Sequence, residues 1–193
     1  YLGGMDATAS LSECLFLSAT DSNSTPIASL PKPLDNFAAT YHNGMLWVAG
    51  GQTNGVPNRD VYSLPYPGNA TTWTLAATLP DECRLQPCVA VQNTATGYAL
   101  FVFGGYQPKT ESQEALVHTD GVYMPIAALK KGNATQWKRT APAVVNVNED
   151  DNDNEDSHPE EIQNSEFKIQ NSYHAIVGST CATSGYSHVL FFG

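Results

Sequence analysis

A hydrophobic strand that stops on two glycines constrains this chain more than any other feature. It is read as Leu46-Trp47-Val48-Ala49-Gly50-Gly51 and again as Leu100-Phe101-Val102-Phe103-Gly104-Gly105. Each pair is followed by a variable stretch and then by an Asp and a Tyr, in Asp60-Val61-Tyr62 and Asp120-Gly121-Val122-Tyr123. A shared phrase, Gly-Asn-Ala-Thr-x-Trp, comes next, from Gly68 to Trp73 and from Gly132 to Trp137. Two partial copies stand at the ends, Tyr1-Leu2-Gly3-Gly4 and Val189-Leu190-Phe191-Phe192-Gly193. The sequence is a set of repeats.

A strand ending on two glycines, a loop, a strand carrying Tyr and one carrying Trp describe one four-stranded antiparallel blade of a radial array. Near a crowded axis, backbones approach closely and φ turns positive, and a residue without Cβ permits both. The Tyr and Trp are expected to bury large surfaces against neighbouring blades. The glycine pairs are 47 residues apart from Gly3 to Gly50 and 54 from Gly50 to Gly104, near the roughly 50 residues of a kelch blade. The next interval, to Gly193, is 89 residues, which reads as a blade plus an insertion. A lone Gly-Gly also serves hairpin turns; aligned copies with a downstream Tyr and Trp do not reduce to that. The expectation is an all-β, kelch-type β-propeller, six-bladed when complete, of which residues 1–193 show about three and a half blades. Propellers close with roughly four to eight blades. Missing blades or a second chain are therefore expected to close the ring, since open blade edges pair or aggregate.

Residues 1–31 read as the end of one blade, Phe37 to Pro80 as a second and Cys88 to Pro142 as a third. Leu-Pro and Ala-Pro steps close the blades because proline cannot donate to a ladder. Residues 146–171 change in composition to Asn, Asp, Glu and Ser, as an acidic insertion or disordered loop within the domain. Eight acids between Glu149 and Glu161 account for all but two of the ten net negative charges. The rest of the chain is nearly neutral and carries no basic surface for nucleic acid. Asp151, Asp153 and Glu155 are spaced like calcium-loop ligands, but Asp156 stands where glycine is needed and Ile162 where a bidentate Glu is needed; no metal site is expected. The four cysteines are scattered except for Cys83 and Cys88, which would close a short loop in an oxidising compartment. Sequons begin at Asn23, Asn69 and Asn133, and turn preference explains the two inside the repeat phrase equally well. No hydrophobic run is long enough to span a membrane, and no signal peptide is visible, although a leader is compatible with a chain that opens inside a strand.

Two phrases are more specific than a generic propeller. Leu30-Pro31-Lys32-Pro33-Leu34-Asp35-Asn36-Phe37-Ala38-Ala39, followed by the strand to Gly51, and Leu79-Pro80-Asp81-Glu82-Cys83-Arg84-Leu85-Gln86-Pro87 resemble the cyclically permuted branch of the sialic acid mutarotase (N-acetylneuraminate epimerase) family. The resemblance covers most of the chain outside the acidic insertion. It implies a propeller that speeds interconversion of the α and β anomers of N-acetylneuraminate in the bacterial periplasm or envelope, without a cofactor. The family's catalytic Glu, in a blade where Gly-Glu replaces Gly-Gly, and its Arg, in a Pro-Gly-x-Arg-Thr phrase, have no counterpart here. Gln52 and Tyr106 follow the glycine pairs, and His118 stands where the Arg would be. The catalytic residues are thus unknown and expected beyond Gly193.

Anomerisation needs a general acid or base to move a proton at the anomeric hydroxyl and ring oxygen, and a cation to hold the carboxylate. Arg84, in the loop before an inner strand, is the candidate for the second task; its other reading is a structural arginine that bonds blade carbonyls. Asn36, in the equivalent loop one blade earlier, is a candidate donor to a sugar hydroxyl or a turn cap. Glu82 and Tyr106 are further loop candidates for a sugar acid. Tyr41-His42 and Tyr173-His174 repeat, which suits packing better than proton transfer. No Ser-His-Asp order, phosphate-binding loop or cysteine–metal spacing appears, nor a Tyr, Cys and His pattern for a copper radical oxidase. Apart from the enzyme, the reading that remains open is a non-catalytic propeller that binds a glycan or protein partner.

Overall fold

A computed structural model describes residues 1–18, 20, 23–81, 83–129, 137–140, 180–184 and 188–192. The acidic segment, the third sequon, Glu82 and the Tyr173-His174 pair lie outside them. Leu2 bridges Cys14, and β1 (Leu15–Leu17) pairs antiparallel with β2 (Ser24–Pro26), the outer part of a first blade. The second blade is β3 (Asp35–His42), β4 (Met45–Thr53), β6 (Asp60–Pro65) and β7 (Thr74–Thr78) in that spatial order, with β5 (Val56–Pro57) folded back on the end of β4. The third repeats it with β8 (Cys88–Thr94), β9 (Gly97–Phe103), β12 (Gly121–Pro125) and β13 (Lys138–Arg139). Its side arm is the pair β10 (Tyr106–Gln107) and β11 (Leu116–Val117), and the single turn α1 (Ile126–Leu129) follows β12. β14 (Thr180–Ser184) and β15 (His188–Phe192) form a last antiparallel pair. β8 lies against β3 on one side and β14 on the other, so the first strand of each unit is the inner one. The chain has an all-β, propeller-type fold.

The run Leu46 to Ala49 is continuously apolar, not alternating, because a blade is covered on both faces. Along β4, Trp47 and Ala49 join Val61, Val89, Val91, Leu100, Val102 and Val122 in the core between the second and third blades. Val48 points the other way, to Cys14, Leu30, Leu34, Tyr62, Leu64 and Trp73 in the core between the first and second. Side chains as buried as Trp47 and Leu64, at 1% exposure each, contribute about 1.5–3 kcal/mol apiece. The repeated tryptophans staple neighbouring blades together. Trp73 Nε1 donates to the Ala28 carbonyl at 2.8 Å, and Trp137 Nε1 donates to the Thr78 carbonyl at 2.7 Å, each reaching back one blade.

The tyrosines depart from the expected equivalence. Val61 pairs with Ala49 and Gly121 with Phe103, which makes Tyr62 the counterpart of Val122. Tyr123 sits one residue further on, where it stacks on Phe101 with ring centroids 4.9 Å apart. A one-residue step along a strand reverses the face. Tyr62 accordingly enters the core while Tyr123 lies on the opposite side of its blade.

The glycine pair does what its sequence position requires. A Cβ on Gly50, at φ +75°, would meet the Arg84 carbonyl oxygen at 2.6 Å, and one on Gly51, at φ +80°, would meet Asp35 O and Phe37. The next blade's entry loop is seated on Gly50, while Gly51 lies against the start of its own blade's β3 and its N donates to Arg84 O at 3.0 Å. One blade earlier Gly4 N donates to Leu34 O at 2.8 Å in the same way.

Candidate functional site

The loops that enter the inner strands, residues 34–36 before β3 and 84–86 before β8, converge at one end of the axis. Their register follows from the backbone. Gly4 bonds Leu34 as Gly51 bonds Arg84, so the repeat counterpart of Arg84 is Leu34. Asn36 and Gln86 correspond in turn, and both have left-handed backbones, φ 52° and 50°. The sequence places Asn36 in the equivalent loop but does not show that Gln86, not Arg84, is its partner.

Arg84 is wholly buried. Its Nε donates to Asp81 Oδ2 at 2.7 Å, Nη2 to Asp120 Oδ1 at 2.8 Å, and Nη1 to the carbonyls of Gly104 at 2.7 Å and Asp120 at 3.2 Å. In the second blade the corresponding carbonyls, Gly50 and Asp60, both accept from Asn58 Nδ2, at 2.8 and 3.1 Å. The guanidinium thus replaces an amide that the third blade lacks, because His118 stands at the position of Asn58. His118 N donates to Gly105 O as Asn58 N does to Gly51 O, but its ring turns away, with Nε2 2.9 Å from Cys83 O. The surroundings of Arg84 match the structural reading, and its side chain offers no exposed donor to a ligand carboxylate.

Arg139 completes the cluster, donating from Nη1 to Asp120 Oδ2 at 2.6 Å and from Nη2 to Asp81 Oδ1 at 2.5 Å. Burial pushes the Asp81 carboxyl up, but hydrogen bonds and charge from Arg139 and Arg84 outweigh it and hold it below the usual carboxylate value. Asp120 is held low by the same balance, with Arg84 ahead of Arg139. Burial, reinforced by the Arg84 charge, lowers His118 and keeps it neutral. The other loop cation, Lys32, donates to Asp60 Oδ2 at 2.8 Å, and Arg59 bonds the Leu79 carbonyl through Nε and Nη2.

Two of the groups that reach solvent at this end are amides. Asn36 is half-buried and Gln86 exposed. Gln86 N donates to Asn36 O at 2.6 Å, and Gln86 Nε2 donates to Asn36 Oδ1 at 3.1 Å. Asn36 Nδ2 and Gln52 Nε2 donate to Asp35 Oδ1 at 2.7 and 2.9 Å. Ser10 Oγ donates to Asp35 Oδ2, which ties this buried carboxylate to the first blade. Half-buried Tyr106 pairs its backbone with Leu85, N to O at 2.8 Å in both directions. The structure therefore brings Asn36 close to the Arg84 loop, leaves Arg84 inside the blade, and holds Tyr106 against that loop by its main chain. Gln86 is the residue at this end that sequence reading did not single out; its repeat position opposite Asn36 was the available signal.

Among the described residues no group of three or more His, Cys, Asp or Glu side chains is arranged to hold a metal ion. Cys83 is a buried free thiol, so it does not close a short disulfide loop with Cys88. Cys83 Sγ turns to the Tyr106 carbonyl, 3.8 Å away, and burial raises its pKa. His42, at the far end of β3, packs on Tyr98 of the next blade with centroids 4.5 Å apart. Among the described residues no helix is long and apolar enough to cross a membrane.

No family model matches this sequence, and no curated protein matches it. Solved structures do match. One described as "Structure of YjhT" superposes with a TM-score of 0.52 at 15% identity, covering 83% of this chain. The chain spans only 34% of the length of that one. At this identity the likeness concerns the fold, and it agrees with the propeller-type arrangement of blades described above.

Proposed function

We propose that this chain is part of a sialic acid mutarotase-like propeller that accelerates interconversion of the α and β anomers of N-acetylneuraminate. The observation that carries the reading is the pair of loop phrases, Leu30 to Ala39 and Leu79 to Pro87, which the fold sets side by side at the axial end of successive blades. Loops gathered at the mouth of a propeller are where a small polar ligand is held. Of the candidate residues, Asn36 and Tyr106 stay in the proposal, Glu82 stays on sequence grounds alone, and Arg84 serves by holding the loop in place. The acid–base residue and the cation for the carboxylate belong to blades beyond the described ones. A periplasmic or extracellular location goes with the same reading.

Exchange NMR of N-acetylneuraminate anomers with the intact protein tests it. Exchange faster than in buffer and proportional to protein concentration is expected; no acceleration would refute the enzyme. A second reading, a propeller that binds a glycan or protein partner without chemistry, is favoured by one observation. Each blade-ending pair among the described residues keeps Gly-Gly, at Gly3-Gly4, Gly50-Gly51 and Gly104-Gly105.

A further inference from the structure

We infer that Gln86, backed by Asn36, is a ligand-contacting residue at the axial mouth that reads the uncharged hydroxyl and amide groups of a sugar. The inference rests on the sugar-binding part of the function proposed above. It begins from a backbone outlier. Four non-glycine residues among those described have positive φ: Asn36, Asn43, Asn54 and Gln86. Asparagine tolerates this conformation because its short amide bonds locally, and glycine adopts it freely. Glutamine has neither advantage, so its backbone at φ 50° is held at a cost in free energy. Such a cost is most simply retained where the side chain is used.

The side chain is placed for use. Gln86 is exposed at the entry to β8, an inner strand. One of its amide protons is fixed by Asn36 Oδ1, and Asn36 is itself oriented by the buried Asp35 carboxylate, which Gln52 and Ser10 also hold. Donors and acceptors in such a chain polarise one another. Gln86 is the exposed end of it, and Nε2 has a second proton and Oε1 a full acceptor capacity beyond the bond to Asn36. A donor and an acceptor on one rigid amide suit neighbouring hydroxyls or a second amide. They do not suit a carboxylate, since the chain terminates in an anion and the nearby cations are engaged: Lys32 by Asp60, and Arg84 and Arg139 by Asp81 and Asp120. The mouth formed by these two blades therefore takes the neutral face of the ligand.

The test is a binding titration, by saturation-transfer NMR, of N-acetylneuraminate and of N-acetylmannosamine, which has no carboxylate, with the intact protein and its variants. Gln86→Gly relieves the backbone, so its melting temperature is expected to hold or rise, while affinity for both sugars falls about tenfold, as for one or two lost hydrogen bonds. Gln86→Asn, which also suits the backbone but is one methylene shorter, is expected to weaken both several-fold, and it decides the matter if the glycine variant is unstable. Unchanged affinity in a folded variant overturns the inference, as does weakening confined to the acid, which would place the carboxylate at Gln86. Binding of both sugars that depends on Gln86, without accelerated anomer exchange, supports the inference and removes the enzyme. If neither sugar binds the wild type, the inference falls together with the sugar reading.

Discussion

Replacing Arg84 and His118 by the residues that the preceding blade uses at those places, leucine as at Leu34 and asparagine as at Asn58, probes how the two blades solve one problem differently. Arg84→Leu removes a buried cation from two carboxylates, a change that ordinarily costs about 3–5 kcal/mol. Arg139 still bonds both Asp81 and Asp120, which draws the electrostatic part toward the low end. The carbonyls of Gly104 and Asp120 lose their Nη1 donor, at about 1 kcal/mol each. The single variant is thus expected to lose about 5 kcal/mol. His118→Asn alone gives up the contact with Cys83 O, at about 1 kcal/mol. In the double variant the new amide has the backbone anchor that Asn58 has, the bond from its own N–H to the second glycine of the pair. It can therefore reach the two vacated carbonyls, as Asn58 reaches those of Gly50 and Asp60. Recovery of about 2 kcal/mol relative to the sum of the single changes is the expected coupling. Urea unfolding of the intact protein, comparing midpoints at constant slope, measures it. A double variant as unstable as the sum of its parts would refute the account of Arg84 as a substitute for the missing amide.

Three further outcomes follow from the same geometry. His118 has a lowered pKa in the fold, so its contribution is full above the unfolded value of 6.5 and is lost as pH falls below it, when the unfolded chain gains a proton first; His118→Asn should flatten stability between about pH 6.5 and 5, and an unchanged pH profile would contradict this. Gly50→Ala would set a Cβ against the Arg84 carbonyl and is expected to cost about 3 kcal/mol, whereas Gly55→Ala, at φ +83° with open space around it, should cost about 1 kcal/mol from backbone strain alone; equal losses in thermal melts would show that close approach is not what selects the glycine. Trp73→Phe removes the donor to Ala28 O and leaves a smaller ring, at about 2 kcal/mol, and hydrogen exchange should then quicken in β2 and β7 before it does in β8; uniform exchange would deny Trp73 its part as a staple between blades.

The blades were legible because their signals are local and repeated. Two glycines at a strand end, a Pro at the crossover and a Trp in a shared phrase reappear at the same places in β4 and β9, in the loops before β3 and after β7, and at Trp73 and Trp137. The candidate site was legible only as loops. Asn36 and Arg84 share a loop type, and sequence spacing did not reveal that one is two residues off the register of the other. The Tyr62 and Tyr123 discrepancy has the same origin: a one-residue difference after Asp60 and Asp120 decides the face of the blade, and the residue names are identical on either side of it.

By itself the sequence determined the repeat, and with it the all-β blades, since alternating close approach and burial on two faces is written in single residues whose conformational limits are intrinsic: glycine for positive φ, proline for a stopped ladder, large apolar side chains for the cores between blades. Only the tertiary structure decided what the polar residues do. Whether a guanidinium meets a ligand or two backbone carbonyls depends on which neighbours satisfy those carbonyls, and here that turned on the presence of Asn58 in one blade and His118 in the next. Burial then fixed the result, because a charged side chain with no exposed surface must spend its hydrogen bonds inside the protein, and Arg84 spends them on its own blade.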